Sequence, residues 1–273
     1  MSAVDFALLA PYGFVAARGL ATAGFVGGVV ALMERTSPFI GGIVLALPIV
    51  TAPAYLFIIL QHDATFVTQA ALGSLATLGA VLLFLVCVIA LVGRVTMPVA
   101  LAGGLIAWFA TGLLIRSLPS ALPVSLGLLA TCGLLAWLSG RRVGMTAPAA
   151  RGRSPWYEIV LRGSAAGLLV AAVSGLAHLL GPTVAGIFAS FPVALLTVCW
   201  FLPRRLEPAG IRAALRATEI GLVSHMPFFL CLALLAPKTG ALPAFIMGLA
   251  GSLGIAVALA LLRRRHLRRN LPG

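Results

Sequence analysis

The chain has 273 residues, of which 61% are hydrophobic and only 9% charged, and its mean hydropathy is +1.12. Soluble domains carry about 25% charged residues, so this composition excludes a soluble fold and leaves no room for a separate soluble domain. The formal charge of +13 does not point to nucleic acid, because the arginines sit in short loops and in the tail rather than on the face of a folded domain.

Taken from the N-terminus, Met1 to Phe6 carries Asp5 and no Lys or Arg before the first apolar stretch. It therefore lacks the basic start of a signal peptide, and no cleaved segment is expected. A hydrocarbon core about 30 Å thick needs roughly 20 apolar residues per crossing. Such stretches predict helices over 15–33, 39–60, 67–92, 97–115, 121–139, 158–178, 183–202, 210–235 and 240–262. Breaks fall at Ser37-Pro38, Gln61 to Asp63, Gly93-Arg94, Ser117 to Pro123, Gly140 to Pro155, Gly181-Pro182, Pro203 to Pro208 and Pro237 to Gly240, where turn formers cluster. The expected fold is an all-α polytopic membrane protein of about nine transmembrane helices.

The loop charges agree with that count. One side collects Arg35, Arg94, Arg141, Arg142, Arg151, Arg153, Arg204, Arg205, Arg212 and the tail arginines Arg263, Arg264, Arg265, Arg268 and Arg269. The other side holds Arg116 and Lys238, with Arg18 near the start of the first helix. By the positive-inside rule the C-terminus is cytoplasmic and the N-terminus faces outward. The location expected is a bacterial inner membrane, crossed several times. The four cysteines, Cys87, Cys132, Cys199 and Cys231, lie inside apolar stretches without ligand spacing and read as small packing residues.

Sliding the chain by 144 residues, the separation of Arg18 and Arg162, aligns two segments without a gap. Arg18-Gly19 meets Arg162-Gly163, Pro38 meets Pro182, Gly42-Ile43 meets Gly186-Ile187, Pro48 meets Pro192 and Phe57 meets Phe201. Cys87 keeps the same offset to Cys231, and with one residue inserted Met97-Pro98 meets Leu242-Pro243. Hydrophobic composition alone would not bring prolines and glycines into register. The division expected is a first four-helix repeat over 1–117, a linker helix and basic loop over 118–155, and a second four-helix repeat with a basic tail over 156–273. The extra crossing in the linker turns the second unit upside down. Inverted repeats are a common plan of secondary transporters, whose midplane site is reached alternately from either side.

In the second unit, Ala185-Gly186 is followed by Phe191-Pro192, Gly210-Ile211, Ala214-Leu215-Arg216, Thr218, Gly221, Ser224, Pro227, Phe229, Leu242-Pro243-Ala244 and Gly248. On these residues, over about Arg162 to Leu262, the chain resembles the GlpM-like family of small bacterial inner-membrane proteins; the first unit matches more weakly through Gly42 and Pro48. The resemblance implies a four-helix envelope protein with no settled biochemical activity. The family pattern is apolar where this chain has Glu219 and His225, so a site built on those two would lie outside the shared chemistry.

Charged groups inside a bilayer cost about 2.5 kcal/mol or more, and usually face a cavity or a partner. Arg212, Arg216 and Glu219 share one face of the eighth predicted helix, with Glu219 roughly 15 Å along it and so near the midplane. Arg216 and Glu219 read either as a substrate or proton site or as a structural pair with the arginines snorkelling to the surface. His225, two residues before Pro227, is a candidate for proton coupling or a satisfied polar side chain. Pro48 and Pro192 sit at equivalent mid-helix positions, where paired interruptions mark transporter sites and, more plainly, packing kinks. Glu34 and His178 are equivalent gate candidates at helix ends. Arg18 and Arg162 lie at helix starts, with Glu158 one turn before Arg162 as its expected partner.

No nucleophile elbow, metal-binding His-Glu motif, phosphate loop or haem ligand pair occurs, so the chain is not expected to be an enzyme and no cofactor or metal is implied. The function expected is transport of an envelope-related or anionic small molecule by alternating access. The other reading is a non-catalytic membrane scaffold or accessory subunit for envelope biosynthesis. The partners expected are the lipid bilayer and a small-molecule substrate, without nucleic acid, and a homo-oligomer is left open.

Overall fold

The computed structural model describes residues 3–35, 47–141 and 155–269, and the side chains of 13–31, 47–141 and 155–262. All of the regular structure in these residues is helical. In order they form α1 (Ala3–Arg35), α2 (Thr51–Gln61), α3 (Ala64–Leu91), α4 (Met97–Ser117), α5 (Leu122–Gly140), α6 (Trp156–Leu180), α7 (Pro182–Ala189), α8 (Val193–Phe201), α9 (Pro208–Gly221), α10 (Met226–Thr239) and α11 (Ala241–Arg269). Short 3-10 turns follow α8 at Leu202–Arg204 and α9 at Leu222–His225.

Eight of the described stretches are long and apolar enough to cross a membrane, and α2 is a shorter apolar helix. The chain is an all-α, polytopic membrane protein. Helices satisfy every backbone polar group within the segment, which lipid demands. The span expected over 39–60 lies partly outside the described residues, as do Ser37-Pro38, Gly41 and Gly42; its described remainder is the break at Leu47 to Val50 and α2. Glu34 falls on α1, with its side chain outside the described set.

Two single helices expected from hydropathy are divided. The helix over 183–202 is α7 and α8, separated by non-helical Phe191 and Pro192. Proline has no N–H to bond back and its ring clashes with the preceding turn, so Pro192 ends the bonding pattern and caps α8 instead of lying within a bent helix. The helix over 210–235 is α9, the 3-10 turn and α10, and here Pro227 removes the bond that would reach Val223.

The most buried span is α3, which packs against α4, α5, α7 and α10. Asp63 caps its start, accepting from the Phe66 N–H at 2.8 Å, and its apolar, small-residue sequence lets neighbours close in from several sides. At Gly186 the backbone of α7 rests on the Ala70 carbonyl so closely that a β-carbon has no room. One core gathers Tyr55, Phe228, Phe229 and Phe245, and a second gathers Phe84, Leu85, Trp108, Ile187, Cys199 and Leu215.

Helices α1 and α6 cross antiparallel along a run of small residues: Gly19 meets Gly167, and a β-carbon on Gly163 would lie 2.6 Å from the Ala23 carbonyl oxygen. Contacts elsewhere recur at positions 144 residues apart. On α4, a β-carbon at Gly104 would lie 2.7 Å from the Phe84 ring; on α11, one at Gly248 would lie 2.9 Å from the Phe228 carbonyl oxygen. Likewise α4 packs on α8 as α11 packs on α2.

The ends of the bundle differ in charge. At one end the turn after α3, the end of α5 and the start of α9 meet, and Arg212 donates to the Val92 carbonyl at 2.9 Å. At the other, Ser120 and Thr183 share a hydrogen bond of 2.6 Å, and His62 stands within electrostatic reach of His178.

Candidate functional site

The buried pair on α9 is built as its spacing implies and anchored differently from expectation. Arg216 and Glu219 form an ion pair three residues apart, with only 9% and 4% of each residue exposed. Arg216 does not snorkel outward. Its guanidinium crosses to α5, donates to the Ala136 carbonyl at 2.9 Å and fills the space left by the missing side chain of Gly140. A cation there complements the partial negative charge of a helix C-terminus, at a carbonyl that also accepts from the Ser139 hydroxyl at 3.0 Å. The second carboxylate oxygen of Glu219, Oε1, is buried without a hydrogen-bond partner, as is His225 Nδ1 at the end of the 3-10 turn.

Arg18 and Arg162 are both tied to neighbours. Arg18 donates to Gln61 Oε1 at 2.7 Å and lies 5.6 Å from the Phe57 ring centre. Arg162 pairs with Glu158 at 3.5 Å, one turn away as the spacing predicts. Sequence reading missed the third member, Arg205, whose Nη2 reaches Glu158 at 2.6 Å from the far end of α8. The 144-residue offset relates the two clusters, since it carries Arg18, Phe57 and Gln61 onto Arg162, Phe201 and Arg205. Glu158 replaces a neutral position, Phe14, and bridges two arginines where the first unit joins an arginine to an amide. Arg204 completes the parallel, 5.1 Å above Phe201.

His178 is exposed near the end of α6. Across from it, His62 stacks on Phe66 at 3.8 Å. Burial, and then the neighbouring His178, hold the His62 imidazole below its ordinary pKa against the opposing pull of Asp63.

Pro48 and Pro192 are buried; Pro192 caps α8 directly, and Pro48 stands three residues before the start of α2. A hydrogen-bond chain through α3 joins α2 and α7. Ser74 on α3 donates to the Gly186 carbonyl on α7 at 2.6 Å, so the Tyr55 hydroxyl on α2 must be the donor in its 2.7 Å bond to Ser74, a serine having one proton to give.

At the α7–α8 break lie two further groups that the sequence did not single out. Trp108 on α4 is 1% exposed and Ser190 is 8% exposed, and neither the indole Nε1 nor the serine Oγ has a partner. Buried polar groups are almost always bonded, so their coincidence at a break is informative. Hydropathy cannot show it, because a tryptophan and a serine in apolar runs read as packing residues.

Pro48, Pro192 and Glu219 are all buried. A shallow groove lies elsewhere, lined by Gly73, Ser120, Ser125 and Thr183 among others. Among the described residues no cluster of His, Cys, Asp or Glu could hold a metal ion. No known protein family, no curated protein and no solved structure matches the chain.

Proposed function

We propose that this protein is a small inner-membrane transporter in which two inverted four-helix units, 1–117 and 156–273, give alternating access to a site between their broken helices. The single observation that carries the reading is the pair of non-helical stretches at Pro48 and Pro192, 144 residues apart and each followed by a short helix. Discontinuous helices at corresponding positions free backbone groups at membrane depth, where a substrate can use them. Support for the inversion comes from the antiparallel crossing of α1 and α6, and from the matched contacts Phe84–Gly104 and Phe228–Gly248.

The substrate on this reading is envelope-related or anionic. The arginines lend that less support than their number suggested, since Arg18, Arg162 and Arg216 each have a partner within the protein. The proposed orientation puts the arginine-rich end in the cytoplasm and the N-terminus outside. The likeness of the second unit to the GlpM-like family fits an envelope role and names no reaction.

One observation favours the alternative, a non-catalytic scaffold for envelope biosynthesis: the positions that would line a path are buried. The two readings separate in a chain freed of its four cysteines and given single cysteines at 48, 192, 219 and 225. A transporter exposes these positions to impermeant thiol reagents from both membrane faces, with labelling reduced by a transported solute. Complete protection from both faces would overturn the transport reading.

A further inference from the structure

Building on the transport reading, we infer that the α7–α8 break is the subsite for an oxyanion, a carboxylate or phosphate group, bound by Trp108, Ser190 and the N-terminus of α8. The break sits near the middle of the Pro182–Arg204 span. Phe191 lies nine residues beyond Pro182, or about 14 Å along a helix, which is half of a hydrocarbon core of about 30 Å.

Backbone donors are available there. Helix α8 has nine residues, and its cap, Pro192, makes no side-chain cap bond. Val193 donates to the Phe191 carbonyl, and Leu196 makes the first bond back to Pro192, so the N–H groups of Ala194 and Leu195 precede the helical ladder. Unpaired N–H groups at a helix start, together with the positive end of the helix dipole, form a ready anion site.

The side chains supply independent evidence for a ligand. Trp108 and Ser190 are more than nine-tenths buried and their polar atoms are unpartnered. The Trp108 ring centre lies 5.0 Å from that of Phe191 and 6.0 Å from that of Phe188, the aromatic residues on either side of Ser190, so the indole packs beside the break. An unpartnered donor recurs in the other unit. The position 144 residues after Trp108 is Ser252, fully buried with an unpartnered hydroxyl, on the helix that packs against α2.

The sign of the ligand follows from donor chemistry. The break also frees the Ala189 carbonyl, because Val193 bonds to Phe191 instead, and a carbonyl alone would suit a cation. An indole N–H can only donate. Trp108 Nε1, the Ser190 hydroxyl and the start of α8 together present donors, so the ligand they complete is an acceptor bearing negative charge.

The test uses the full chain in lipid nanodiscs, with the exposed Trp137, Trp156 and Trp200 replaced by Phe so that Trp108 alone reports by fluorescence. Acetate, phosphate and choline are titrated in turn against chloride at constant ionic strength. The expected result is a saturable change in emission with acetate or phosphate, none with choline, and at least tenfold weaker binding in Ser190→Ala. Whichever anion responds identifies the group as carboxylate or phosphate. Should Ser190→Ala fold poorly, Trp108→Phe in the otherwise native chain, read by calorimetry, must show the same tenfold loss, since it keeps the ring and removes the N–H. No saturable response to either anion, a response untouched by both variants, or a response to choline instead would overturn the assignment. Binding that persists while single cysteines at 48 and 192 stay closed to both faces would refute transport and leave the anion site standing; the reverse pair of results would do the opposite.

Discussion

Replacing Arg216 with Met tests whether the α9 ion pair is a buried lock or a surface ornament. The methionine keeps most of the aliphatic volume against Gly140 while removing the guanidinium. Glu219, 4% exposed, then loses its ion-pair partner, and the Ala136 carbonyl keeps only the Ser139 hydroxyl as a side-chain donor. Breaking a buried pair by deleting one member costs about 3–5 kcal/mol because the other charge is left uncompensated, whereas an exposed pair is worth about 0–1 kcal/mol. At roughly 2–4 °C per kcal/mol for a chain of this size, Arg216→Met should lower the unfolding midpoint by about 6–20 °C in detergent. The double variant Arg216→Met/Glu219→Leu removes both charges and should recover most of that loss, giving a coupling energy of at least about 2 kcal/mol. A midpoint within about 2 °C of the parent for Arg216→Met would refute the burial argument and restore the picture of an arginine reaching to the surface.

Gly163→Leu at the α1–α6 crossing forces a side chain against the Ala23 carbonyl, 2.6 Å from where its β-carbon would stand. It should cost about 1–3 kcal/mol by thermal unfolding, whereas Gly24→Leu, with open space around it, should be neutral. His62 has its folded pKa lowered by burial and by His178, so the unfolded chain binds more protons just below the ordinary value of about 6.5. Stability is therefore full above that value and falls as pH drops toward the folded pKa. His62→Gln should narrow the difference in unfolding midpoint between pH 7.5 and 5.5, and an unchanged difference would show that the imidazole is not the sensor.

Local pattern made much of this architecture legible. Six of the nine predicted segments coincide, within a few residues at most ends, with helices or helix pairs of the structure; α1 and α11 run further into the flanking sequence, and the span over 39–60 is described only from Leu47 onward. The reason is that a bilayer imposes one length and one backbone solution on every crossing. Contacts one turn apart were equally readable: Glu158 with Arg162 and Arg216 with Glu219 follow from helical spacing alone. Pro192 marked where a helix breaks, although hydropathy, averaging over the break, drew it as continuous.

By itself, then, the sequence determined that this is a membrane protein, where its apolar crossings fall, and which polar groups share a helix face, because those properties depend on residues within a few turns of each other. Tertiary structure decided what each polar group does. It brought Arg205 to Glu158 across 47 residues and Arg216 to the Ala136 carbonyl across 80, and packed Trp108 against Phe188 and Phe191 at the α7–α8 break. Those pairings depend on how helices pack side to side in the bundle, and in a chain where nearly every segment is apolar, hydrophobic pattern distinguishes one helix face from another too weakly to reveal that packing.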